Sequence, residues 1–226
     1  MEMKNFFKNE IIDADPICRV KNRLYQLIIS NVTELCYCNC LEYFSDHSNI
    51  LDVGIGNGMM IRKFHGLIKS KQLRIVGIDI NKHYLNHCDG LIKGYGLENH
   101  IETYCKSIED FEPKIKNYFD FVLFSMSFML FDDQRLVLHR IKEWIRPGGK
   151  IVFFQTMYKD RFRLMDFIKP KLVYFTSIDF GKVTYENDFF SLLAKNNIYV
   201  SEDRIIKKEW FKGEYRMIVA ALGNEN

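Results

Sequence analysis

Nine residues constrain this chain more than any others: Ile50-Leu51-Asp52-Val53-Gly54-Ile55-Gly56-Asn57-Gly58. Ile50 to Val53 read as a short apolar strand that runs into a glycine-rich turn. A helical pattern follows at once, with Met60, Ile61, Phe64, Leu67 and Ile68 on one face at 3.6-residue spacing. Strand, tight glycine turn and helix form the first unit of a nucleotide-binding α/β domain. Glycines there let backbone approach a ligand or take positive φ, and the helix N-terminus presents free N–H groups at the same spot.

The spacing of the glycines selects among ligands. A dinucleotide fingerprint is G-x-G-x-x-G. Here Gly54, Gly56 and Gly58 alternate, and Met59 stands where a third dinucleotide glycine would fall. Asp52 precedes the first glycine by two positions, on the strand itself. This D-x-G-x-G-x-G pattern resembles motif I of the class I S-adenosylmethionine-dependent methyltransferases. That ligand has no pyrophosphate and needs no phosphate cradle. It carries an ammonium, which an acid beside the loop suits. Taken alone, the turn also reads as an ordinary βα connection, so the rest of the chain has to decide.

Composition narrows the classes. With 226 residues, 47% hydrophobic and 27% charged, the chain reads as one ordinary globular domain with a proper core. A net charge of 32 − 29 = +3 is too small to argue for nucleic acid. Aromatic content of 15% suits a thick core and an aromatic pocket. Met1 to Pro16 mix acids and bases without an apolar leader. The longest nearly apolar run, Phe121 to Phe131, is shorter than the ~20 residues a membrane span needs. A cytoplasmic location with no membrane span is therefore expected.

Three of the six cysteines lie in Cys36-Tyr37-Cys38-Asn39-Cys40. On a helix, at ~100° per residue, Cys36 and Cys40 share a face and Cys38 points away. Three thiolates then cannot converge on one ion. Free thiols and no metal are expected, with redox or metalloid chemistry as the alternative.

Along the chain, residues 15–44 read as helical, with a stripe of Ile17, Val20, Leu24, Leu27 and Ile28. Tyr25 beside that stripe either closes over a ligand or packs. Leu73 to Asp79 form a second buried strand ending in an acid, about 20–25 residues beyond the glycines, where an acid for ribose hydroxyls is expected. Asn81 caps the next helix, and Gly94 and Gly96 end it. Strands follow at Ile101 to Cys105 and Phe119 to Ser125. Asp132 and Asp133 open a helix on which His139 faces away from the core side. Arg146-Pro147-Gly148-Gly149-Lys150 reads as a turn into a fifth strand, Ile151 to Thr156. Met157 to Val183 interleave aromatic and basic residues, as a lid over a small-molecule pocket or a structural cover would. Thr184 is the expected cap of a further helix. Ile198 to Ile206 and Tyr215 to Leu222 read as an antiparallel pair.

The glycine turn, the acid after the second strand, the loop after the third and the Pro-Gly-Gly turn occur in the order that marks the methyltransferase family. The resemblance covers roughly Ile50 to Thr156. It implies a Rossmann-like, doubly wound, mostly parallel α/β sheet of seven strands, with the last strand antiparallel between its neighbours and N-terminal helices in front. It implies one domain: a helical cap over residues 1–46, a cofactor-binding half over 47–156, and a lid with closing strands over 157–226. It implies S-adenosyl-L-methionine as cofactor. Asp52, Gly54, Gly56 and Gly58 would hold the methionine end, and Asp79, with Ile80 next to it, the ribose side. Ser107 and Ile108 would flank the adenine, Ser107 standing where the family usually has an acid, with Glu109 or Asp110 as substitutes. Ser125 would face the transfer site. No catalytic base is identified. Ser125-Met126-Ser127-Phe128 departs from the [Asp/Asn]-Pro-Pro-[Tyr/Phe] common in amino methyltransferases of DNA or glutamine. A small-molecule acceptor is therefore expected. The alternatives are a protein or peptide side chain as acceptor, or a non-catalytic protein that keeps the fold to bind a partner.

Overall fold

The computed structural model describes residues 32–159, 182–209 and 213–223. In chain order these form α1 (residues 32–43), β1 (Asn49–Val53), α2 (Met59–Ser70), β2 (Arg74–Asp79), α3 (Lys82–Tyr95), β3 (Ile101–Cys105) and β4 (Phe119–Ser125). A single 3₁₀ turn (Phe128–Leu130), α4 (Gln134–Trp144), β5 (Ile145–Met157), α5 (Glu186–Lys195), β6 (Ile198–Glu209) and β7 (Gly213–Leu222) follow. The proposed place of Tyr25 and most of the aromatic and basic stretch after β5 lie outside the described residues.

The seven strands make one sheet in the order β3-β2-β1-β4-β5-β7-β6. β1 to β5 pair in parallel, and β7 runs antiparallel between β5 and β6. This is the doubly wound α/β fold that the sequence implies. Alternation along each strand loads both faces: Ile50 packs on one and Leu51 on the other. The first face is covered by α1 through Cys36, Cys40 and Leu41, by α2 through Met60, Ile61 and Ile68, and by α3 through Leu85, Cys88 and Ile92. The second is covered by α4 through Val137, Leu138 and Ile141 and by α5 through Phe189 and Leu193. Part of the high aromatic content resides there. Phe153 stacks on Phe124 at 5.3 Å between centroids and meets Phe128 and Phe189 edge-on at 4.9 and 5.1 Å. Burying each such ring contributes about 1.5–3 kcal/mol.

The strand order reverses between β1 and β4, because β2 and β3 are laid to one side and β4 and β5 to the other. Connections leave the C-terminal ends of β1 and β4 in opposite directions, which opens a crevice there. The caps are local and follow the sequence. Asn81 accepts from the N–H groups of His83 and Tyr84, Asp133 from those of Arg135 and Leu136, and Gly96 closes α3 at φ 62°.

Several boundaries differ from the sequence reading, and two of the differences change how a turn and a cap are built. The Pro-Gly-Gly turn lies inside β5, not before it. Phe119 pairs with Ile145 and Phe121 with Lys150, so the residues between are looped out as an irregularity of one strand. Gly149 fits because a Cβ there would come within 3.0 Å of the Phe119 carbonyl oxygen. The cap residue of α5 is Tyr185 rather than Thr184, without a side-chain cap bond; Glu186 and Asp188 in the first turn complement the helix dipole.

Candidate active site

The crevice is built from three strand exits and one helix. The first exit is the glycine turn, where Gly54, Gly56 and Gly58 all have positive φ, at 85°, 65° and 76°. Two of them yield space to the protein itself. A Cβ on Gly54 would lie 2.8 Å from Ser127 Cβ, and one on Gly58 would lie 3.0 Å from Cys88 Cα. Gly56 differs, since among the described residues a Cβ there would meet only the Gly54 carbonyl oxygen, at 4.0 Å. Its side is open.

The second exit follows β2. Asp79 is half-buried and accepts from the Gly56 N–H at 3.0 Å and the Asn81 N–H at 2.8 Å. The acid read as a ligand for ribose thus also ties the glycine turn to the start of α3. Remaining lone pairs on both oxygens keep it available to hydroxyl donors. Ile80, next to it, is 76% exposed, an open apolar surface beside the acid.

The third exit follows β4. Ser125 is half-buried and its Oγ lies 3.1 Å from Cys36 Sγ of α1. Met126 adopts φ 56°, a conformation rare for a non-glycine residue and concentrated at functional sites. Ser127 donates from its hydroxyl to the Val53 carbonyl, which stitches this exit to that of β1.

Asp52 lies at the centre and is fully buried. One of its oxygens accepts from the Tyr37 hydroxyl at 2.9 Å, and the other has no hydrogen-bond partner among the described residues. Burial pushes its pKa up to about 7, against the lowering effect of the Tyr37 bond, and the like charge of Asp79 adds to the rise. Burial likewise pushes the Cys36 thiol well above its ordinary value and Cys88 up to about 12, so both are neutral thiols. Cys36 and Cys40 face the core while Cys38 turns outward toward Glu42, as helical spacing requires. Among the described residues, no three His, Cys, Asp or Glu side chains are grouped to hold a metal ion.

The loop after β3 corrects one assignment. Ile108 is 1% exposed and packs in the second-face core, and its carbonyl accepts from Arg140 Nε at 3.1 Å. Its side chain leaves no free surface for a ring, whereas that of Ile80 is exposed. Ser107 donates its hydroxyl proton to Asp110 at 2.8 Å and accepts from the Asp110 N–H at 3.1 Å. Toward a ligand it therefore offers a lone pair, which suits an amino donor. Glu109 and Asp110 are exposed, and His139 on α4 is a surface residue.

Two residues escaped the sequence reading. Tyr37 carries no local signal, because its partner is fifteen positions away across a helix-to-strand turn. Gln155 on β5 is 1% exposed, and among the described residues neither its amide nitrogen nor its oxygen has a hydrogen-bond partner. A glutamine among Phe153, Phe154 and Met157 in a buried strand is the one signal that pointed to it.

These features define a doubly wound α/β protein with a ligand crevice at its topological switch point. Residues 50–149 match the family model of a methyltransferase domain. The chain is 31% identical over 121 residues to the ubiquinone/menaquinone biosynthesis C-methyltransferase of Wigglesworthia glossinidia brevipalpis, covering 54% of this chain and 46% of that protein. It is 27% identical over 135 residues to the carboxy-S-adenosyl-L-methionine synthase of Shewanella halifaxensis, covering 59% and 53%. It thus spans about half the length of the curated relatives it matches. Its fold resembles the geranyl diphosphate C-methyltransferase of Streptomyces coelicolor A3(2), solved with Mg²⁺, geranyl diphosphate and S-adenosyl-L-homocysteine, with a TM-score of 0.66 at 13% identity over 87% of this chain and 80% of that one. The chain thus carries a methyltransferase domain over residues 50–149, on a fold shared with solved methyltransferases. Among the described residues no helix is long and apolar enough to cross a membrane.

Proposed function

We propose that this protein transfers the methyl group of S-adenosylmethionine to a small-molecule acceptor. The observation that carries the reading is the open side of Gly56, flanked by Asp79 and the exposed Ile80 at the exits of β1 and β2. The residues fit the cofactor. Asp52 has a buried oxygen with unused accepting capacity for the ammonium. Asp79 has lone pairs for the ribose hydroxyls, Ile80 gives the adenine a flat apolar side, and Ser107 has a lone pair for its amino group. When bound, the cofactor supplies an electrophilic methyl on a sulfonium. The chain's work is then to fix the two reactants in line and exclude water, which in well-oriented systems accounts for a large part of a barrier. A general base is needed only where the acceptor carries a proton.

Two arms test this. Calorimetric titration with S-adenosylmethionine should give saturable binding. Incubation of the protein, labelled cofactor and a cell extract should place label in the small-molecule fraction. Label found in protein would establish the peptide-acceptor alternative, and binding without any transfer would favour the non-catalytic one. A second reading has its own support, since a relative is named carboxy-S-adenosyl-L-methionine synthase. That activity would replace a hydrogen of the cofactor, lost as a proton, with a carboxyl group from a carboxyl-bearing co-substrate, and mass spectrometry of the recovered cofactor distinguishes the product.

A further inference from the structure

We propose that Tyr37 of α1 is a positioning residue of the cofactor site: its hydroxyl holds one oxygen of Asp52 and leaves the other, buried and unpartnered, for a ligand ammonium. The inference rests on the reading above and adds to it a helix, a residue and a proton.

A buried carboxylate normally has its oxygens satisfied by several donors. Among the described residues Asp52 has one donor, Tyr37, at 2.9 Å. Among the described residues, the groups that face it come from four elements. α1 brings Tyr37 and Cys36, β4 brings Ser125 against Cys36, the end of β2 brings Asp79, and α3 brings Cys88. None is a cation. Asp79 is a like charge and the thiols are neutral, so nothing among them stabilises ionised Asp52 except the phenol hydroxyl. The free site is short of one positive charge and one donor. An α-ammonium supplies both.

A proton balance follows. In the free protein below about pH 7 the Asp52 carboxyl is protonated, because burial disfavours the anion. A ligand that enters as R–NH₃⁺ pairs with the carboxylate, and the carboxyl proton leaves to solvent. No other bond is made or broken, and the phenol keeps its proton. Affinity should then fall about tenfold per pH unit below that point. Above it affinity is level until the ligand's own amine deprotonates.

The experiment is calorimetric titration of the full chain with S-adenosyl-L-homocysteine from pH 5.5 to 9, in two buffers of different ionisation enthalpy. The control ligand is 5′-methylthioadenosine, which keeps the nucleoside and thioether but lacks the ammonium. Expected for the native chain is an acid limb near pH 7 with release of about one proton per ligand on that limb, and no such limb for the control. Tyr37→Phe keeps the ring and removes the donor that favours the anion. Its acid limb should move up by about one pH unit, while the alkaline limb stays. A purely structural role for Tyr37 would lower affinity equally at every pH. Asp52→Asn, a second variant that does not depend on Tyr37→Phe folding well, should bind without proton release. An acid limb that is absent, shared by the control, or unmoved in Tyr37→Phe overturns this inference while leaving cofactor binding intact. Absence of binding by either ligand at every pH overturns the functional reading and this inference together.

Discussion

Asp52 and Asp120 are aspartates on adjacent strands of one sheet, and they sit at its opposite ends. Asp120, at the start of β4, accepts from the Asn49 N–H at 2.7 Å and the Asn49 side-chain amide at 3.4 Å, and it pairs with Arg146. Asp52, at the end of β1, has among the described residues one partner, no cation and an orphan oxygen. The N-terminal end shows the same economy elsewhere, for Lys71 spends its ammonium on the carbonyls of Leu41, Glu42 and Phe44 that end α1. It is unused hydrogen-bonding capacity, not the presence of an acid, that separates a site from scaffold. Unpartnered buried atoms also occur away from the crevice, among them Asn49 Oδ1 at the scaffold end and His65 Nδ1 on α2.

The strongest way to break the contrast is to fill the open end. Gly56→Val places a branched side chain at φ 65°, in the space the protein itself leaves empty. S-adenosylmethionine binding should weaken by more than ~100-fold in calorimetry, with the circular dichroism spectrum retained. Tight binding by the folded variant would reduce the glycine turn to a connector.

The two aspartates should respond to neutralisation with opposite signs. Asp52 has a folded-state pKa raised from 3.8 to about 7. Its stabilising contribution is therefore complete below about pH 4 and is lost as pH rises through about 7, an effect of about 4 kcal/mol at most. Asp52→Asn should remove that dependence, raising the melting temperature at pH 8 and leaving it nearly unchanged at pH 4. Asp120→Asn gives up a partly exposed ion pair and should lower stability at pH 8 by about 1 kcal/mol. Thermal melts of both variants at the two pH values decide the matter; a stabilised Asp120→Asn or a destabilised Asp52→Asn would erase the distinction.

Asp79 tests whether one residue can belong to both categories. From its place after a buried strand it reads as having no packing role, so that Asp79→Ala would leave stability alone. Its bonds to the Gly56 and Asn81 N–H groups say otherwise. Asp79→Ala should lose about 1–3 kcal/mol of stability and weaken cofactor binding roughly 10- to 150-fold, while Asp79→Asn, which keeps an acceptor, should recover part of the stability. Equal losses in both variants would make the role purely electrostatic.

The smallest expected effect is at Gln155, whose amide is buried without a partner. Gln155→Met preserves volume and removes the orphan groups, and should stabilise the free protein by about 1 kcal/mol in denaturant unfolding. A loss instead would show that the amide serves a partner.

How much of this was legible beforehand follows the range of the forces involved. The glycine turn, the placement of Asp79, the caps at Asn81 and Asp133 and the facing of Cys36 and Cys40 against Cys38 rest on contacts within a few residues. Spacing in the chain fixes such contacts, and so the sequence by itself determined them, along with the βα order that produces the sheet. Other features depend on which distant element arrives beside which. The burial of Ile108 and the exposure of Ile80 are set by how the loops pack on the sheet, although both are isoleucines beside strand ends. The meeting of Tyr37 with Asp52 depends on α1 lying across β1 and β4. Only tertiary structure decided these, because burial and hydrogen-bond satisfaction are properties of a surrounding shell assembled from the whole chain, and no local pattern records which polar atom that shell will leave without a partner.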